Sequence, residues 1–146
     1  MLTYDPRTIS THVYQSLSNL QQDTINQAAQ KEQKSQAVEL YTYIATWGLL
    51  RLKAEEFALS QNSKKDVVKC FFQILGKIAF PEKPDHFLER QGLNNLTKRG
   101  DSESFNASEY LGLTGLALQI AREFAFWAEA VYPDVQPTHN QDTTAG

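Results

Sequence analysis

The side chains able to do acid–base, nucleophilic or metal chemistry are few and scattered. The histidines are His12, His86 and His139, and no His-Glu-x-x-His pattern sets two of them on one helix face. A di-iron bundle would need two Glu-x-x-His repeats on facing helices, and neither copy is present. Cys70 is the only cysteine, so it has no disulfide partner and cannot build a zinc site alone. It stands in the apolar run Val67-Val68-Lys69-Cys70-Phe71-Phe72 and reads as a small core residue, with no basic motif to activate the thiol. Asp85, His86 and Glu89 can share a helical turn, but an exposed short helix accounts for them. Carboxylates such as Glu55, Glu56, Glu123 and Glu129 read as solvated helix faces. No phosphate-binding loop, nucleophile elbow or Cys-x-x-Cys occurs. The expectation is a chain with no catalytic residues, no metal and no cofactor.

Groups suited to binding are more plentiful. Net charge is −3, but it is distributed unevenly. Residues 31–99 carry twelve Lys and Arg against eight Asp and Glu, whereas residues 100–146 carry Arg122 against seven acids. A chain with a basic middle and an acidic C-terminal third can hold a polyanion at one end and a basic partner at the other. Lys64 and Lys65 open a helix, where cations oppose the helix dipole and free amides suit an anion. Lys65 and Lys69 share a face, and Lys31, Lys34, Lys98 and Arg99 fall in polar connections where contacts to partners concentrate. Together with Arg51 these eight residues are the candidate contacts to nucleic-acid phosphate; the plainer alternative is scattered surface charge.

Aromatic residues supply a second set. Tyr41 falls on the expected inward stripe, whereas Tyr43 and Trp47 lie off it; Phe126 and Trp127 widen the apolar face of the last helix. Tyr43, Trp47, Phe126 and Trp127 are therefore either core or a protein interface.

The elements that must position these groups read as helices throughout. Asp5-Pro6 starts the first, with Ile9, Val13, Leu17 and Leu20 on its apolar face. Its stripe thins after Ile25, and a break or kink is expected in the polar stretch 27–34. A second helix over 35–59 would bury Val38, Tyr41, Ala45, Gly48, Leu49 and Leu52, with Gly48 in mid-helix where another helix approaches closely. Ser63 and Asp66 resemble a capping box for a third helix, burying Val67, Val68, Phe71, Ile74, Leu75 and Ile78 until Pro81. A short fourth helix over 85–96 follows. Asn106 and Glu109 cap the last, whose inward face reads as Tyr110, Leu111, Thr114, Ala117, Leu118, Ala121, Phe124, Ala125, Ala128 and Val131. No segment alternates as a strand does. The expected fold is all-α: one domain over 1–132, a compact bundle of about five helices, and a disordered polar tail over 133–146. With no apolar leader at the start and no stretch of membrane-spanning length, the expected location is cytoplasmic.

Two segments carry a family resemblance. Tyr43-Ile44-Ala45-Thr46-Trp47-Gly48-Leu49-Leu50 resembles the helix with a Gly-Leu pair in the small α-helical subunit of type III CRISPR effector complexes, the Cmr branch. Tyr110-Leu111-Gly112-Leu113-Thr114-Gly115-Leu116-Ala117-Leu118, running on to Trp127-Ala128-Glu129-Ala130-Val131, resembles that family's final helix. The resemblance implies a non-catalytic subunit whose copies stack along an antiviral ribonucleoprotein complex. Its implied partners are other effector subunits, further copies of itself, and the backbones of guide and target RNA, with no membrane involved. The alternative is a helical adaptor or assembly factor that binds protein and no nucleic acid. Basic residues gathered on one face favour the first reading; a scattered distribution favours the second.

Overall fold

Asp5 caps the first helix as its sequence requires: the carboxylate accepts from the Arg7 amide at 2.9 Å and proline takes the first turn. The computed structural model describes residues 5–97 and 105–132, and within them the chain runs through six α-helices. These are α1 (Pro6–Asp23), α2 (Gln27–Trp47), α3 (Leu49–Ala58), α4 (Asn62–Ala79), α5 (Glu89–Leu96) and α6 (Ala107–Val131), with a single 3-10 turn, Pro84–Phe87, before α5. Among the described residues there is no strand, and no helix is long and apolar enough to cross a membrane. The tail expected to be disordered, and Lys98 and Arg99, lie outside the described residues.

The break after α1 falls earlier than expected, at 24–26 rather than within 27–34. Asn26 is the signal: its side-chain oxygen accepts from the amides of Ala28 and Ala29 and starts α2. The polar stretch after it is helical and clamps the connection. Gln30 Nε2 donates to the Thr24 carbonyl at 2.6 Å and Gln33 Nε2 to Thr24 Oγ1 at 2.9 Å.

The expected second helix is two helices. Gly48 sits at φ +91, ψ 166, a conformation that a side chain all but forbids, and the axis breaks there. The break resets the helical phase. Leu49 and Leu52 are buried as expected, but α2 turns Ala37, Leu40 and Ile44 inward; Val38 and Tyr41 are half-buried and Ala45 is exposed. Extending the Leu49–Leu52 stripe backwards through Gly48 selects the wrong residues because the period does not run through a break.

Helix α4 begins at Asn62 after Gln61, so the expected Ser63–Asp66 box is absent; Ser63 Oγ instead donates to Glu32. Its buried face, Val67, Val68, Phe71, Ile74, Leu75 and Ile78, is the expected one with Phe72 added. Phe71 packs edge-on against both Phe72 and Phe124, joining α4 to α6 in the core. In α6 the Asn106–Glu109 box forms in both directions, at 2.8 and 2.9 Å. Ala117, Ala121, Phe124 and Ala128 are buried as expected; Leu111 is not, being 70% exposed.

Three contacts fix α2 and α3 antiparallel to α6 along its length. Lys34 meets Tyr132, Arg122 meets the Tyr41 ring, and the Leu50 amide meets the Tyr110 hydroxyl. Helix α1 runs parallel to α6 on another side, through Ser10 to Glu123 and Tyr14 to Trp127. Helix α4 packs on α1, α2 and α6.

Replacing Gly48 by alanine is expected to cost about 1–3 kcal/mol through backbone strain. Tyr110→Phe, which leaves the Leu50 amide without its acceptor, should cost about 1–2 kcal/mol. Urea denaturation followed by circular dichroism checks both, and an unchanged midpoint for Gly48→Ala would contradict the assigned break.

Candidate nucleic-acid and protein interface

The basic residues divide by burial. Lys34 is 4% exposed, and its ammonium donates to the Tyr132 carbonyl at 3.0 Å and lies 3.3 Å from a Glu129 carboxylate oxygen. It neutralises the negative end of α6, with Tyr132 OH donating to Gln33 beside it at 2.7 Å. Lys34 is thus an internal clamp and is corrected out of the exposed basic set. Lys31 and Lys69 are exposed, and Lys64 and Lys65 are half-buried at the start of α4. Arg51 is exposed and lies 5.0 Å from the centre of the Trp47 ring.

Glu32 brings several of these together. Its carboxylate accepts from Gln61 Nε2 at 2.9 Å and from Ser63 Oγ, tying the early part of α2 to the first turn of α4. Lys31 and Lys64–Lys65 therefore flank one junction, and Lys69 follows one turn along α4. Glu32 is also the anion beside the positive end of α4, supplied from within the chain. None of Lys31, Lys64, Lys65 and Lys69 forms an ion pair with a described residue. Arg51, on α3 beyond the Gly48 break, stands apart from that group.

The four aromatics expected at a protein interface behave differently from one another. Trp47 is 53% exposed and Phe126 63% exposed, whereas Tyr43 and Trp127 are half-buried. The Tyr43 hydroxyl reaches Glu55 Oε1 at 3.4 Å, bracing α2 against α3 across the break. Burial and the nearby Glu55 charge push the Tyr43 phenol above its ordinary pKa. Trp127 donates from its indole N–H to Glu123 Oε1 at 3.0 Å.

The carboxylates are not all solvated faces, contrary to expectation. Glu56 is buried and paired at 2.8 Å with Lys53, whose side chain is 2% exposed and whose ammonium lies 4.8 Å from the Phe72 ring centre. Gly92 makes room for it: a Cβ there would stand 2.7 Å from Lys53 Cε. Glu123 is half-buried. Sequence reasoning misses Glu32, Lys53, Tyr110, Tyr14 and Glu123 as positioning or surface groups. Their partners lie 29 to 113 residues away in most cases, so local spacing holds no signal for them.

The groups capable of acid–base or metal chemistry stay apart. His12 and His86 lie on different elements, and burial pushes both below the ordinary imidazole range, helped by Lys77 and Lys83 respectively. His86 stacks on Phe80 with ring centres 4.4 Å apart, and its buried Nδ1 has no partner among the described residues. Asp85 and Glu89 fall on separate helical pieces. Among the described residues no group of three or more His, Cys, Asp or Glu is placed to hold a metal. Burial, with the Asp66 charge, pushes the Cys70 thiol up to about 11. Compared with protein-family models, with curated proteins and with solved structures, the chain matches none.

The raised Cys70 value has two measurable consequences. At pH 8 iodoacetamide should alkylate the folded protein roughly a hundredfold more slowly than an unhindered thiol, because the thiolate is the nucleophile. The folded chain also keeps a proton that the unfolded chain releases, so Cys70's contribution to stability falls as pH rises from about 9 to 11. A Cys70→Ala comparison isolates that contribution, and alkylation at the rate of free cysteine would contradict it.

Proposed function

We propose that this chain is a non-catalytic small subunit of an RNA-guided CRISPR effector complex, contacting the RNA backbone through the basic junction of α2 and α4. The observation that carries the reading is the set Lys31, Lys64 and Lys65 around the junction that Glu32 ties, with Lys69 one turn further along α4, none of them in an ion pair with a described residue. Such a group suits sequence-independent contact with phosphates. Further support comes from the two segments that carry the family resemblance. They meet in three dimensions: Leu50 N donates to the Tyr110 hydroxyl at 2.9 Å beside Gly48, so the Gly-Leu pair and the start of the final helix form one unit. Exposed Trp47 and Phe126 would then face neighbouring subunits or further copies of the chain. A cytoplasmic location follows from this role.

The test belongs in the assembled complex, where neighbouring subunits complete the site. Charge reversal at Lys64, Lys65 and Lys69 should weaken target-RNA capture while leaving assembly intact. Each lysine–phosphate pairing removed should reduce the slope of log K against log salt by about 0.7 on a single strand. Unchanged capture with failed assembly would make the junction a protein interface and favour the adaptor reading. If neither changes, the lysines contact no partner.

A further inference from the structure

An aromatic and acidic patch stands where α1 meets the C-terminal half of α6. Tyr14 is 48% exposed and its ring centre lies 5.2 Å from that of Trp127; Phe126 packs edge-on against Trp127 at 5.1 Å. Beneath them Glu123 Oε1 accepts two hydrogen bonds, from Ser10 Oγ at 2.7 Å and from the Trp127 indole at 3.0 Å. These bonds hold both the carboxylate and the indole in place. Among the described residues nothing donates to Glu123 Oε2 and no cation lies within ion-pair distance.

The rest of the surface shows what is missing. Three other part-exposed rings each carry an arginine of this same chain: Arg51 on Trp47 at 5.0 Å, Arg90 on Phe57 at 5.2 Å and Arg122 on Tyr41 at 5.1 Å. No described cation covers Tyr14, Phe126 or Trp127, although a half-buried carboxylate lies beside them. A carboxylate flanked by part-exposed aromatic rings suits a guanidinium: the acid takes its N–H fork and a ring takes its plane. Tryptophan, tyrosine and arginine are also the residues that dominate binding energy at protein interfaces. The carboxylate argues against RNA here, because it would repel a phosphate backbone that bare rings would tolerate.

We infer that the Tyr14–Glu123–Phe126–Trp127 patch is a receptor for an arginine side chain presented by a protein partner. The inference rests on the function proposed above only in taking that partner to be a neighbouring subunit; the receptor chemistry stands on the geometry. It also separates the two interfaces: the α2–α4 junction for phosphate, this patch for a basic protein surface.

The test follows the Trp127 indole N–H resonance of the full chain in nitrogen-15 spectra, assigned with Trp47→Phe. The probes are an acetylated tri-arginine peptide, its tri-lysine counterpart and a six-nucleotide oligouridine. Tri-arginine should shift the resonance saturably, and tri-lysine should bind several-fold more weakly. Glu123→Gln keeps the side chain's size but not its charge, and should weaken tri-arginine binding about tenfold with the helical signal unchanged. Phe126→Ala, at an exposed position, should weaken it as well. The inference is overturned if tri-arginine leaves the resonance unmoved, or if Glu123→Gln binds as well as the natural chain. It is also overturned if oligouridine shifts the resonance and tri-arginine does not, which would make the patch a stacking surface for bases. No RNA enters the peptide arm, so its failure leaves the phosphate contacts of α4 standing, and their failure leaves this receptor standing.

Discussion

A glycine backbone outside the helical region, met by a tyrosine hydroxyl, decides how the longest helix is covered. At Gly48 the chain leaves α2, and the Leu50 amide, one of the free donors at the start of α3, finds the hydroxyl of Tyr110. A Cβ on Gly48 would stand 3.4 Å from that oxygen, an ordinary contact, so it is the dihedral angles and not the fit that call for glycine. With α2 and α3 angled there, Lys34 reaches the last turn of α6, Tyr41 its middle and Leu50 its first turn. The faces of α6 left over, carrying Leu111 at one end and Phe126 at the other, define the exposed surface.

Charge is used in two distinct ways. Lys34 and Lys53 are taken inside, where desolvation is costly and is offset by a carboxylate together with a carbonyl or an aromatic face. Both act as struts, one closing the end of α6 on α2 and the other holding α3 against α4 and α5. Lys31 and Lys69 are exposed and Lys64 and Lys65 half-buried; Lys31, Lys64 and Lys65 stand beside the Glu32 junction and Lys69 one turn beyond it. Between α1 and α6, Glu123 is one of the acids in no ion pair with a described cation, held instead by Ser10 and Trp127. The basic middle and acidic C-terminal third seen in composition thus resolve into particular groups, after two of the middle lysines are withdrawn from the surface.

What is legible in the sequence is what depends on neighbours a few residues apart. The Asp5-Pro6 start, the Asn106–Glu109 box and the inward face of α4 each follow from spacing within a turn or two, and each is found. The inward face of α2 is not legible in this way, because a glycine that breaks a helix and a glycine that admits a neighbour look alike until φ is known. Lys34 escapes for a related reason. It sits in a run of polar residues, Gln33-Lys34-Ser35-Gln36, all of them buried, and the partners that receive Lys34, Tyr132 and Glu129, are distant in sequence. Of the candidate site, the exposed aromatics Trp47 and Phe126 and four of the lysines are legible; Glu32, Tyr14 and Glu123 are not, because their roles exist only across helices.

The central claim, that this chain lies against the backbone of guide and target RNA, is tested most directly by ultraviolet crosslinking of the RNA-loaded effector complex with peptide mapping. The expected result is nucleotide adducts on peptides containing Lys31 and on those spanning residues 64–69, unchanged when the RNA sequence is scrambled together with its target. A complex that contains the chain but yields adducts only on other subunits would contradict the claim.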